Sequence, residues 1–146
     1  MSKVEDFLSK KEEEQVVEAI RMAEKSTSGE IRVHIEKTHG DQDIFERAME
    51  VFHLLKMDNT KLDNGVLIYV AVEDRDFVIY GDRGINEVVP ADFWESTKDA
   101  IVAKFKAGYY KQGLIDGILK AGEQLQAHFP WSEDNRNELP NNISKE

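Results

Sequence analysis

The apolar positions of this chain repeat with two different spacings, and the switches between them mark out the elements. Val16, Val17, Ile20, Met22 and Ala23 recur at helical intervals behind Ser9 and Glu12, a capping-box pair. This predicts a first helix from about Ser9 to Lys25, with Phe7 and Leu8 placed to staple the chain entry onto it. Glu30 to Glu36 then alternates strictly, with Ile31, Val33 and Ile35 on one side, as expected of a strand with one covered and one more polar face. Asp43 with Glu46 repeats the capping signal, and Phe45, Ala48, Met49, Phe52 and Leu55 carry a second helix to near Met57. Val66 to Val72 is continuously apolar, the mark of a short central strand covered on both faces. Glu73 to Asp76 reads as a turn and Phe77 to Tyr80 as a returning strand. Pro90 and Asp92 open a third helix carrying Trp94, Ile101 and Phe105 and ending at Gly108. Leu114, Ile115, Ile118, Leu119, Leu125 and Phe129 stripe a fourth, stopped by Pro130.

These elements dictate a topology. A helical crossover between the first two strands makes them parallel and right-handed, and the tight hairpin makes the third antiparallel to the second. The prediction is an α/β fold, a three-layer α/β/α sandwich in which helices cover a short mixed β-sheet on both faces. Residues 1–130 form this domain, and residues 131–146, mixing Asn, Ser, Glu and Pro with few apolar anchors, form a polar, loosely held tail.

With 40% hydrophobic and 33% charged residues, the chain lies well outside the disordered class. Its net charge is −10, and removing the tail's four acids and two bases leaves −8 on the domain itself. So negative a surface repels nucleic-acid backbones and anionic lipid and favours divalent cations and basic protein partners. The absence of cysteine excludes disulfides, thiolate nucleophiles and Cys-type zinc sites. Lys10 to Glu14 interrupts any signal-peptide core, and the longest apolar run is far too short to span a bilayer, so a cytoplasmic location without membrane insertion is expected.

The topology gathers acids. If Val72 sits opposite Phe77, counting outward puts Leu67 opposite Asp82 and Gly65 near Gly84, so Asp63 and Asn64 approach the segment from Asp82 to Glu87. The first strand begins at Glu30 at that same end. Glu30, Asp63, Asn64, Asp82 and Glu87 thus converge on one rim, a donor set suited to a hard cation such as calcium. The same residues also suit two plain turns with solvated charges. Arg83 sits among them, able either to meet a substrate phosphate or to pair with a neighbouring acid.

Other chemistry is poorly supported. Asp74-Arg75-Asp76 mimics an aspartate-nucleophile motif, but the chain turns straight back into a strand there. The four histidines lack metal-ligand spacing, and no nucleophile elbow or Gly-rich phosphate loop occurs.

Four landmarks nevertheless follow in order: Ser28-Gly29-Glu30-Ile31; Asp63-Asn64-Gly65-Val66-Leu67; Gly84-Ile85 followed by Val89-Pro90; and Phe105 with Gly108, Tyr110, Gly113 and Leu114. Over about residues 7 to 130 the chain resembles the TPM-domain family, named for thylakoid lumen, photosystem II repair and acetylcholine-receptor modulator proteins. The resemblance implies an α/β/α sandwich, calcium binding in some members and acid-phosphatase activity in part of the family, with other members acting as assembly or modulatory factors. Two positions depart from the family pattern: Asn86 stands where many relatives carry Glu, and Tyr109 where they carry Asp. The expectation is a calcium-binding or regulatory module, with metal-assisted hydrolysis of phosphate monoesters as the alternative.

Overall fold

The computed structural model describes residues 7–131 and 141–145. Along the chain run α1 (Lys10–Glu24), β1 (Glu30–Glu36), α2 (Ile44–Leu54), β2 (Gly65–Ala71), β3 (Asp76–Gly81), a single-turn α3 (Arg83–Asn86), α4 (Glu95–Lys106), α5 (Tyr110–Gln126) and β4 (Ser144–Lys145). The sheet order is β3-β2-β1-β4, with β1 parallel to both β2 and β4 and β3 antiparallel to β2.

Local sequence chemistry sets the helix starts. Ser9 and Glu12 exchange hydrogen bonds as a full capping box on α1, and the Asp43 carboxylate accepts from the N–H groups of Phe45 and Glu46 at the start of α2. Trp94 lies just outside α4 rather than within it, because the Pro90–Asp92 segment forms turns first. Gly108, at φ +82°, ends the α4 region in the left-handed conformation that glycine adopts without strain.

Two cores sandwich the sheet. On one face α1, α4 and α5 bury Val16, Ile20, Ile101, Leu114 and Ile118 against Ile31, Val33, Ile35, Val66 and Ile68. On the other, α2 lays Ala48, Val51 and Phe52 on Leu67, Tyr69 and Ala71. This is the expected α/β/α sandwich, and β2 is buried along its whole length, as a continuous apolar run demands.

The polar face of β1 departs from expectation. All seven residues of the strand are buried. Enclosing a charged stripe is costly unless it is internally paired; the Glu36 end is so paired, whereas Arg32 Nε is buried without a hydrogen-bond partner among the described residues. Here Arg47 of α2 reaches the Glu36 carboxylate through Nε at 2.9 Å, and Glu36 also accepts the Tyr69 hydroxyl. The imidazole of His34 meets Ser144 Oγ at 3.0 Å.

The hairpin register also differs by two from the count made on the sequence. Val70, not Val72, faces Phe77, and Leu67 faces Tyr80 rather than Asp82. The turn is Val72–Arg75, closed by an N–H from Arg75 to the Val72 carbonyl at 3.2 Å with Arg75 at φ +51°, so Asp76 joins the strand instead of the turn. An even shift leaves every side chain on its expected face, so both cores survive the correction.

Candidate functional site

The corrected register brings Gly65 level with Asp82, whose N–H donates to the Gly65 carbonyl at 2.9 Å, and Gly84 level with Asp63, whose carbonyl accepts from Gly84 N–H at 2.8 Å. The two backbones touch there. A Cβ on Gly84 would lie 2.3 Å from the Leu62 carbonyl oxygen and 2.5 Å from that of Asp63, so only glycine permits the approach. Asp63 itself is held at φ +51°.

Each residue expected at the rim has a distinct setting. Asn64 is a bracket: its side-chain amide donates to the Ser28 carbonyl at 3.2 Å, its N–H donates to Thr60 Oγ1 at 3.2 Å, and its carbonyl accepts the N–H of Glu30 at 3.2 Å. That ties the β1 entrance to the β2 entrance. Glu30 is buried at the head of β1. Asp63 accepts a 2.9 Å hydrogen bond from the Arg83 guanidinium, fulfilling the pairing alternative for that arginine, although with Asp63 rather than Asp82 or Glu87. The raised pKa of Arg83 follows first from this bond and then from the fields of Asp63 and Glu87. Glu87 caps the end of α3 through its backbone and is itself exposed.

Asp82 is the chemically distinctive member. It is 9% exposed; Oδ1 accepts the N–H of Arg83 at 2.7 Å, while Oδ2 is buried and has no hydrogen-bond partner among the described residues. Burial pushes its pKa up, and Asp63 and Asp58 push it further in the same direction. Asp58 belongs to the cluster but escaped the sequence reading, because Asp58 to Asn64 looked like a generic turn. Glu24 escaped as well. It ends α1 and accepts the N–H of Ile31 at 2.9 Å; burial first, and Glu30 more weakly, raise its pKa to about 7. No sequence signal marked it, since its surroundings come from the return of β1 beside the helix end.

Among the described residues, no group of three or more Asp, Glu and His side chains is closed up as a metal cage. What the rim offers is the buried Oδ2 of Asp82, without a hydrogen-bond partner among the described residues, in a negative field with Asp63 and Asp58 near it and backbone carbonyls from the two abutting turns. Among the described residues there is also no helix long and apolar enough to cross a membrane.

A three-layer α/β/α domain with an acidic rim at the entrance of its parallel strands is the class defined by this arrangement. Residues 1–124 match the model of the TPM domain, and the chain belongs to the TPM-domain family. No curated protein matches it. The BA42 protein from the psychrophilic bacterium Bizionia argentinensis, solved by NMR, is similar at 65% identity with a TM-score of 0.92, with the whole of each chain covered. The N-terminal domain of a P. gingivalis protein superposes with a TM-score of 0.69 at 22% identity over 84% of this chain and 79% of its own. The N-terminal domain of the cg2496 protein from Corynebacterium glutamicum gives 0.63 at 11% identity, over 95% and 80% respectively. The last two likenesses concern the fold alone.

Proposed function

We propose that this TPM domain binds a divalent cation, calcium by the flexible oxygen shell it accepts, at the acidic rim, and acts mainly as a binding or regulatory module. The observation that carries the reading is the unpartnered Oδ2 of Asp82. A carboxylate held out of water beside two further aspartates is costly until a cation compensates it. Asp82, Asp63 and Asp58 supply anionic oxygens, Asn64 holds the two strand entrances together, and water completes a calcium shell readily. Glu30 and Glu87 flank this centre. A cation there would fix the 58–64 and 82–87 segments relative to one another, giving a protein partner an ordered surface to read.

A second reading draws on Arg83, whose side chain is 74% exposed at the rim. A phosphate monoester on the cation would find a guanidinium beside it. The test of that reading is turnover of an aryl phosphate by contaminant-free protein and its disappearance in Asp63→Ala.

The primary experiment is calorimetric titration of metal-stripped protein with calcium, then with magnesium, for the wild type and Asp82→Asn. Saturable calcium binding that the variant loses is expected. Calcium at a hundred times its dissociation constant stabilises the wild type by about 2.7 kcal/mol and leaves the variant unchanged. Without calcium the order reverses, with the variant melting higher because an amide costs less to bury than a crowded carboxylate. Absence of both heat and melting shift at millimolar calcium overturns the proposal.

A further inference from the structure

At the other end of β2 and β3, beyond the hairpin turn from the acidic rim, the same face of the sheet that carries α4 and α5 opens into a cleft of about 850 Å³. That volume lies within the range of small-molecule sites. Val72, Phe77, Val102, Phe105, Tyr110 and Phe7 form its apolar wall, and Arg75, Asp76 and Lys106 its polar border. Edge-to-face ring pairs hold the aromatic side in place, with Phe105 5.5 Å from Phe77 and 5.4 Å from Tyr110 between centroids.

The charge at the mouth is opposite in sign to that of the molecule. Arg75 and Lys106 both border the cleft, and neither side chain has a hydrogen bond or ion pair among the described residues. The acids flanking Arg75 in sequence are hydrogen-bonded to other donors and make no ion pair with it among the described residues, though both keep their charge. Asp74 accepts from the Thr38 hydroxyl and the His39 N–H, and Asp76, also on the border, accepts the N–H of Phe77. Arg75 and Lys106 outweigh the one carboxylate on the border, Asp76, so the lining carries a net +1 in a chain carrying −10, a local reversal of sign at the entrance of an aromatic-lined cavity. Lys106 also ends α4, where a cation complements the helix dipole, but that role leaves its ammonium free to meet a ligand.

We propose that this cleft is a binding site for a small amphipathic carboxylate, its acyl or aryl body lying among Phe105, Phe77, Val102 and Tyr110 and its carboxylate between Arg75 and Lys106. Apolar burial supplies the affinity, and the two cations select the charge. The site is independent of the acidic rim, since the two lie at opposite ends of the same strands.

Octanoate, 1-octanol and octylammonium share one chain length and differ only in head charge, so they separate burial from charge. Each is titrated into the ¹⁵N-labelled protein while amide shifts are followed by NMR. Octanoate is expected to bind saturably with one site, to bind more tightly than the alcohol or the amine, and to shift Val72, Phe77, Val102, Phe105 and Tyr110. Arg75→Asn combined with Lys106→Gln, both at exposed positions, should weaken octanoate about tenfold, the sum of two exposed charge contacts, and leave octanol unchanged. Asp82→Asn should bind octanoate as the wild type does. Shifts scattered over the chain, octylammonium binding as tightly as octanoate, or full octanoate affinity in the double variant would each overturn the assignment.

Discussion

Glu24, partly buried at the end of α1, and His34, buried in β1, are ionisable side chains that tie stability to pH with opposite signs. The Glu24 carboxyl is raised from 4.5 to about 7 chiefly by burial, so the folded chain holds its proton more tightly than the unfolded chain does. Below pH 4.5 both states are protonated and the group costs nothing. As pH climbs to 7 and beyond, the unfolded chain ionises freely while the folded chain must ionise in a buried place, so stability is lost. The full loss reaches at most roughly 3 kcal/mol. Burial lowers the pKa of His34 below 6.5, so its contribution is lost in the other direction, as pH falls through that range. Glu24→Gln isolates the first effect, because an amide oxygen can still accept the Ile31 N–H. The variant should unfold at higher urea than the wild type at pH 8, and the difference should vanish by pH 4.5. A constant difference across that range would mean that Glu24 does not titrate abnormally.

At the scale of elements, α5 shows why small residues were placed where helix propensity argues against them. Gly113, Gly117 and Gly122 line its buried side. A Cβ at Gly117 would stand 2.5 Å from the Ile101 side chain of α4, whereas one at Gly122 would stand 2.8 Å from Ala23 Cβ and 3.1 Å from its Cα in α1. A side chain can rotate away; a helix backbone moves only by separating the two helices. Alanine gains about 1 kcal/mol of propensity at either position, but forced overpacking typically costs about 1–3 kcal/mol. Gly122→Ala should therefore destabilise the fold by up to about 2 kcal/mol net in urea, and more than Gly117→Ala does. Equal or greater stability of Gly122→Ala would show that α1 and α5 are less closely set than this spacing implies. In the sequence, Gly117 and Gly122 fall inside the apolar stripe of this helix at a cost in propensity, a pattern that by itself points to close packing. No such pattern marks the hairpin register, because nothing in Glu73-Asp74-Arg75-Asp76 reveals that Arg75 takes the left-handed conformation and that Asp76 belongs to β3.

For the whole molecule, legibility followed the range of the interactions. Capping boxes, the apolar β2 run and the helical stripes are local, and they predicted the layers and the meeting of Asp63 with the Asp82 segment. The burial of the Arg32, His34 and Glu36 face, the nearness of Asp58 to Asp82 and the setting of Glu24 depend on distant partners and left no periodic trace. Strand β4 is the extreme case: two residues, Ser144 and Lys145, pair with His34 and Ile35 from the far end of the chain. The tail expected to be loose falls mostly on residues 132–140, outside the described residues, yet Ile143 beyond them is 8% exposed and belongs to the main core. Ser144 meets His34, and Lys145 reaches Glu13 of α1 at 2.5 Å, so the C-terminal segment bridges sheet and helix. If this segment unfolds with the domain, Ile143→Ala should cost about 2–4 kcal/mol, the usual price of emptying a buried aliphatic site. Ser144→Ala should cost about 1 kcal/mol for one hydrogen bond. Both losses should appear in global urea unfolding with the slope unchanged. If instead β4 opens on its own, Ile143→Ala will leave the global transition in place, while the amides of β4 and the facing edge of β1 exchange with solvent far faster than those of β2.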